Sequence, residues 1–303
     1  MSVDEVDFYV DHCSQEELID LHRKVFHSDM DIDFWNWKYP YYLKANSPYA
    51  VVGGEVIAYY GVIPRNYINS GVVYKAFQAA DVMVDEDYRG KLSSGMFMRL
   101  IENGDVIKQK CVFYGFPHKR HYILGRRLKM YELVQELNVF SLKSSEVKVD
   151  GRFSYAKSEV SDISLEDYNF RYSNFSASAP GGFLERGYSY YLHRYGNHPV
   201  FDYKAFIDSD SLFVVRIDGE SVQIMDYLGD VAVFPEKIRR LSGAQELQGS
   251  MLTGWTALNS EDFLKFSEVQ VSPAGAFFVK SEFEGAEMNC DKFWVSMGDT
   301  DFL

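Results

Sequence analysis

The stretch Asp81-Val82-Met83-Val84-Asp85-Glu86-Asp87-Tyr88-Arg89-Gly90-Lys91 decides how this chain is read. Apolar residues end a long β-prone run and an acidic turn follows. Arg-Gly-Lys then leads toward a segment where Met96, Phe97, Leu100 and Ile101 recur at helical spacing. A strand that passes through an Arg-Gly turn into a helix aims successive backbone N–H groups at one point. The helix N-terminus adds the positive end of its dipole there. Such a cradle suits a pyrophosphate. The plainer reading is a strand-loop-helix corner with a solvated arginine.

Working upstream, Val6 to Val10 reads as a first strand, and Ser14-Gln15-Glu16-Glu17 as a capping box. Leu18, Leu21 and Val25 then fall on one helical face. The segment Phe34-Trp35-Asn36-Trp37-Lys38-Tyr39-Pro40 is dense in aromatics and stops at a proline. Tyr49 to Val52, a Gly53-Gly54 turn and Val56 to Val62 read as a hairpin, and Asn69-Ser70-Gly71 turns into a long strand, Val72 to Val84. Downstream, the helix that carries Met96 to Ile101 breaks near Asn103-Gly104. Val112 to Phe116 is a short strand, His121 to Leu128 a basic helix, and Tyr131 to Leu142 a last strand.

A polar stretch from Lys143 to Asp162 reads as a linker. Beyond it, Tyr190-Tyr191-Leu192-His193-Arg194-Tyr195 echoes Phe34-Trp35-Asn36-Trp37-Lys38-Tyr39: paired aromatics, then a base, then Tyr. Strands at Tyr203 to Ile207, Leu212 to Ile217 and Val222 to Tyr227 follow. A helix at Pro235 to Leu241 and a strand at Met251 to Leu258 complete the echo. The pattern predicts an internal duplication, with one unit in residues 1–145 and a diverged one in 146–303.

In this context the segment 81–91 resembles the GNAT superfamily of acyl-CoA-dependent N-acyltransferases, tandem-domain type. Val82-Met83-Val84, Asp85-Glu86-Asp87 and Tyr88-Arg89-Gly90-Lys91 stand in the order of the superfamily's strand, turn and Tyr-Arg-Gly-x-Gly loop. Tyr114-Gly115-Phe116-Pro117 is similar to its Gly-Phe-Pro-Asn ending, and Leu128-Lys129-Met130 falls where members carry Leu-Gly-Phe. The closing Trp294 to Asp301 is similar to the end of tandem members. The resemblance implies an α/β fold of the α+β type: two GNAT-like domains, each a mixed, largely antiparallel central sheet flanked by helices.

It also implies a strand that splays from its neighbour to leave a V-shaped slot for acetyl-CoA or another acyl-CoA. Val82, Met83 and Val84 would lie along the pantetheine arm. Arg89, Gly90, Lys91, Ser93, Ser94 and Gly95 would hold the pyrophosphate. Asp81 or His118 would take the proton of an attacking amine, and Tyr122 would protonate the departing thiolate. Each has a plainer alternative: Asp81 pairs with a nearby Lys or Arg, His118 starts a helix, and Trp35, Trp37 and Tyr39 are core rather than acceptor pocket. The chain departs from the pattern at Leu92, Ser94, His118 and Gly125; position 125 often supplies the tyrosine acid.

Composition narrows the partners. A formal net charge of −13, from 44 acidic against 31 Lys and Arg residues, argues against general nucleic-acid binding. It counts equally against a transferase using aminoacyl-tRNA, although Lys119, Arg120, Arg126, Arg127 and Lys129 form a local basic cluster. Cys13, Cys111 and Cys290 are too far apart in sequence for a CxxC pair, so no metal is expected. No apolar run reaches the roughly 20 residues of a membrane span, and the acidic N-terminus lacks a secretory pattern, so a cytoplasmic location is expected. The expected activity is acyl transfer, acetyl first, to a small-molecule amine such as an amino sugar or amino-acid derivative. The alternative is a catalytically silent relative that serves as a binding scaffold.

Overall fold

The computed structural model describes residues 6–10, 13–39, 47–89, 112–148, 155–179, 181–256, 258, 260–263, 265–282 and 293–300. Ser14 opens α1 (Gln15–Phe26) with the expected capping box: its hydroxyl accepts from the Glu17 N–H, and the Glu17 carboxylate accepts from the Ser14 N–H. Asp31 caps α2 (Ile32–Lys38), so the first aromatic motif is helical. Strands β1 (Asp7–Tyr9), β2 (Tyr49–Val52), β4 (Val72–Val84) and β5 (Val112–Gly115) follow the sequence pattern closely, whereas β3 (Glu55–Asn69) runs seven residues past the expected Val62, paired with β4 to its end. Then come α3 (Lys119–Arg127) and β6 (Glu132–Lys143).

The expected linker holds structure of its own. Residues Ala156–Glu159 form β7, an edge strand paired with β9 (Tyr203–Ile207), so the second unit begins inside that polar stretch. Its polarity is that of an exposed edge strand, three of whose four residues face solvent. The second half continues with α4 (Leu165–Ser178), β8 (Gly182–Leu184), α5 (Tyr188–Tyr191) running into a π-helical turn to Gly196, β10 (Leu212–Asp218) and β11 (Ser221–Leu228). It ends with α6 (Phe234–Ser242), β12 (Met251–Thr256), β13 (Gln270–Glu282) and β14 (Phe293–Trp294).

Twelve of these strands run in the order β1-β2-β3-β4-β5-β13-β6-β12-β11-β10-β9-β7, with β8 and β14 attached to the side through β3. The order reads the same from either end. Each half lays down five strands, the last two parallel (β4 with β5, β11 with β12), and each lends its final strand to the other. Thus β13 lies between β5 and β6, and β6 lies between β13 and β12. The units read as 1–145 and 146–303 therefore interlock. Phe140 and Leu142 of β6 lie in the core of the second half, and Phe278 of β13 packs with Tyr67, Tyr114 and Phe116 of the first.

The repeated aromatic motifs meet across this pseudo-two-fold. The Trp37 Nε1–H donates to the His193 carbonyl at 2.7 Å, and His193 Nε2 donates to the Trp37 carbonyl at 3.0 Å. The buried aromatics correspond in each copy, Trp35 with Tyr191 and Tyr39 with Tyr195, whereas Lys38 pairs with Asp81 and Arg194 donates to the carbonyls of Gly298 and Thr300. No helix among the described residues is long and apolar enough to cross a membrane.

Candidate active site

β4 and β5 pair only through Ala76–Val112, Phe77–Phe113 and Gln78–Tyr114, and then part. A β-bulge in β4 accompanies the parting. Tyr60 of β3 faces Val82 and Gly61 faces Ala80, which leaves Asp81 as the extra residue, in the left-handed region at φ 43°. Glycine at 61 is required by close approach: a Cβ there would lie 2.3 Å from both the Ala80 carbonyl oxygen and the Tyr39 hydroxyl. β11 carries a bulge at the matching place, where Val214 faces Asp226 and Val215 faces Ile224. The duplication extends to this detail.

Asp81 is buried, and its carboxylate accepts from Lys38 Nζ and the Tyr39 hydroxyl, both at 2.8 Å, with His22 Nε2 at 3.7 Å. Burial alone would raise its pKa. The Lys38 ammonium and His22 outweigh burial and hold it well below the usual carboxylate range. A carboxylate so held is a weak proton acceptor. The geometry gives Asp81 the pairing role rather than that of base, and the pair fixes the bulge that opens the slot.

Between the parted strands lies a cavity of about 400 Å³. Ala79 to Val82 and Phe113 to Pro117 form its walls. His118, His121, Leu124, Gly125 and Leu128 of the α3 region cover it, and Val279 and Lys280 of the exchanged β13 close one side. Of the expected pantetheine residues, Val82 lines the cavity, whereas the Met83 side chain is fully buried against α1 and α2 and Val84 packs with Ala50 and Ile57. The Val84 carbonyl accepts from Arg89 Nε at 3.0 Å, and Arg89 also pairs with Glu86. Gly90, Lys91, Leu92, Ser93, Ser94 and Gly95 lie outside the described residues.

His118 and His121, one helical turn apart, both line the cavity. Burial, with the charges of His118 and Arg89, lowers the His121 pKa, so its imidazole is neutral at pH 7 and able to accept a proton. Tyr122 points elsewhere: its ring stacks on Phe277, with centroids 4.3 Å apart. Tyr131, which the sequence reading passed over, lines the cavity instead. Its ring fills the space left by Gly125, where a Cβ would lie 2.0 Å from Tyr131 Cζ and 2.3 Å from its hydroxyl. That hydroxyl donates to the His121 carbonyl, and burial pushes its pKa up to about 12. A glycine where a large side chain is expected was the available signal.

The second half is built differently at the matching place. Asp226 accepts from the Tyr195 hydroxyl at 3.2 Å, as Asp81 does from Tyr39, but its cation is the fully buried Arg186, which Asp299 also engages. Burial raises the pKa of Asp226, in contrast to Asp81. Residues Met297–Asp299 pack over the β11 bulge, so close that a Cβ on Gly298 would lie 2.9 Å from the Met225 carbonyl oxygen. Asp230 caps the turn after β11 with its own carboxylate, which accepts from the Ala232 N–H. Among the described residues no group of three or more His, Cys, Asp and Glu side chains is placed to hold a metal ion.

The chain has the fold of the GCN5-related N-acetyltransferases. A GCN5-related N-acetyltransferase from Kribbella flavida superposes with a TM-score of 0.68 at 14% identity, over 93% of this chain and 72% of that one. A probable N-acyltransferase from Enterococcus faecalis V583 gives 0.68 at 15% identity, over 91% and 72%. Saccharomyces cerevisiae N-myristoyltransferase with bound myristoyl-CoA gives 0.59 at 10% identity, over 94% and 80%. The sequence itself matches no protein-family model and no curated protein.

Proposed function

We propose that this protein is an acyl-CoA-dependent N-acyltransferase that uses the first-half slot and acts on the amine of a small molecule. The observation that carries the reading is the cavity between β4 and β5, opened by the Asp81 bulge and lined by imidazole and phenol groups. The pantetheine arm enters between Ala79–Val82 and Phe113–Phe116, and the thioester stops beside α3. One imidazole, that of His118 or of His121, receives the proton of the attacking amine. Tyr131, standing where the side chain of residue 125 would begin, protonates the departing thiolate. Arg89 and residues 90–95 hold the pyrophosphate, and acetyl-CoA is the first donor to try.

The second half is assigned no donor site: its bulge is covered by residues 297–299 and its turn is capped by Asp230. It supports the first half by supplying β13. The experiment is free-thiol release from acetyl-, butyryl- and myristoyl-CoA with a panel of amines. Amine-dependent release that drops about 100-fold or more in Tyr131→Phe, at unchanged donor affinity, supports the roles given. Donor binding without release from any amine would favour the silent scaffold.

A further inference from the structure

Three tyrosines line the cavity between β4 and β5: Tyr60, Tyr114 and Tyr131. Two of their hydroxyl protons are already committed. Tyr114 donates to Gln78 Oε1 at 3.1 Å, and Tyr131 donates to the His121 carbonyl. Tyr60 differs: among the described residues its hydroxyl has no hydrogen-bond partner. It is not sealed inside the protein, as the partnerless indole N–H groups of Trp35 and Trp294 are, but opens on the cavity that its ring lines. A half-buried hydroxyl facing apolar walls forgoes a hydrogen bond that a ligand oxygen would supply. Burial, and then the nearby Tyr131, push its pKa up, so the phenol keeps its proton across the neutral range.

The bulge decides where this hydroxyl stands. Tyr60 faces Val82 across β3–β4, immediately beyond the extra residue Asp81. Residues opposite each other share a face, and Tyr60 and Val82 both line the cavity. Its neighbour Tyr59 turns the other way and packs with Trp35 and Tyr39 in the α1/α2 core. β3 and β5 flank β4 and so lie roughly 10 Å apart. The Tyr60 and Phe113 ring centroids are nevertheless only 6.4 Å apart. These two side chains therefore meet over β4, beside the last pairs that join it to β5, and Tyr60 stands at the root of the gap.

We infer that Tyr60 is a further catalytic residue, whose O–H donates to the carbonyl oxygen of the bound thioester and holds the negative charge that develops there. The inference rests on the acyltransferase reading and gives the second free phenol of that site a role distinct from that of Tyr131. The amine nitrogen bonds to the thioester carbon while the C=O π pair moves onto oxygen, against the Tyr60 hydroxyl, which keeps its proton. The pair returns to carbon as the C–S bond breaks, and the sulfur takes the proton of Tyr131. The amine's proton goes to the imidazole of His118 or His121 and returns through solvent to the Tyr131 phenolate. A neutral donor fixed in an apolar cavity stabilises such an oxyanion more than water would.

The test compares the full chain with Tyr60→Phe and Tyr131→Phe, each of which removes one oxygen. Infrared difference spectra of bound acetyl-CoA, isotope-labelled at its carbonyl carbon, read the hydrogen bond without turnover. The carbonyl stretch should lie lower on the parent and on Tyr131→Phe than on Tyr60→Phe. With the best amine of the panel, kcat of Tyr60→Phe should fall about 100-fold or more, while acetyl-CoA affinity stays within about threefold. Thermal unfolding should be unchanged, because the hydroxyl has no protein partner to lose. A carbonyl stretch that Tyr60→Phe leaves in place would overturn the inference even if kcat fell, since the phenol would then act elsewhere. Unchanged kcat in Tyr60→Phe beside an active parent would overturn it alone and leave the acyltransferase reading standing. No thiol release by the parent from any amine would sink that reading and the inference with it.

Discussion

At the scale of single residues, Asp81 governs both the shape of the slot and its response to acid. Its folded pKa is depressed, so its contribution to stability is complete above the ordinary carboxylate value near about 4. That contribution is lost as pH falls below this value toward the folded pKa. Asp81→Asn should cost about 3–5 kcal/mol at pH 7, as breaking a buried pair does. Denaturant unfolding at pH 7 and pH 3 reads both effects, and the gap between variant and parent should narrow at the lower pH. His121 works in the other sense: its lowered pKa leaves the imidazole neutral at pH 7. The acid limb of kcat/KM should therefore inflect below about 6.5, and His121→Asn should shift it. An acid limb above 7 would speak against the imidazoles.

These assignments were only partly legible in the chain. Asp81 stood out as a carboxylate inside a largely apolar strand, but its partners, Lys38 and Tyr39, are about forty residues away and only packing brings them together. Tyr122 lies on the correct helix and the wrong side of it. The helix starts at Lys119 rather than His121, and a coarse helical span cannot fix which of its side chains face the cavity. Tyr131 was hidden because its role depends on an absence, the missing side chain of Gly125.

Among elements, α3 and the start of β6 carry the most testable packing. Gly125→Ala places a Cβ inside the Tyr131 ring, so the ring must leave its position over the helix. The variant should lose about 1–3 kcal/mol through overpacking. It should also lose as much activity as Tyr131→Phe, a coincidence that thermal unfolding and thiol release together would establish. The start of β3 and both ends of β4 were legible to within a residue, because Gly53-Gly54 and Asn69-Ser70-Gly71 mark the turns chemically, but β3 runs to Asn69, seven residues past the expected Val62. β7 was not, because a short edge strand facing solvent has no apolar alternation to reveal it.

At the scale of the whole molecule the exchange of β6 and β13 is the defining feature, and sequence pattern gives no sign of it. The order of elements revealed two units; which unit each last strand joins is decided by long-range pairing. Residues 1–145 and 146–303 expressed separately should each lack a neighbour for an interior strand and fail to unfold cooperatively. Together they should recover a single transition, which circular dichroism on the separate and mixed halves would show. Two independently stable halves would contradict the interlocked sheet.

The most direct test of the central claim is calorimetric titration of the intact chain with acetyl-CoA and butyryl-CoA, beside an Ala79→Phe variant that fills the gap between β4 and β5. The account predicts one site per chain, lost in Ala79→Phe while its unfolding transition is kept. Two equivalent sites, or binding that Ala79→Phe leaves intact, would contradict a single donor slot in the first half.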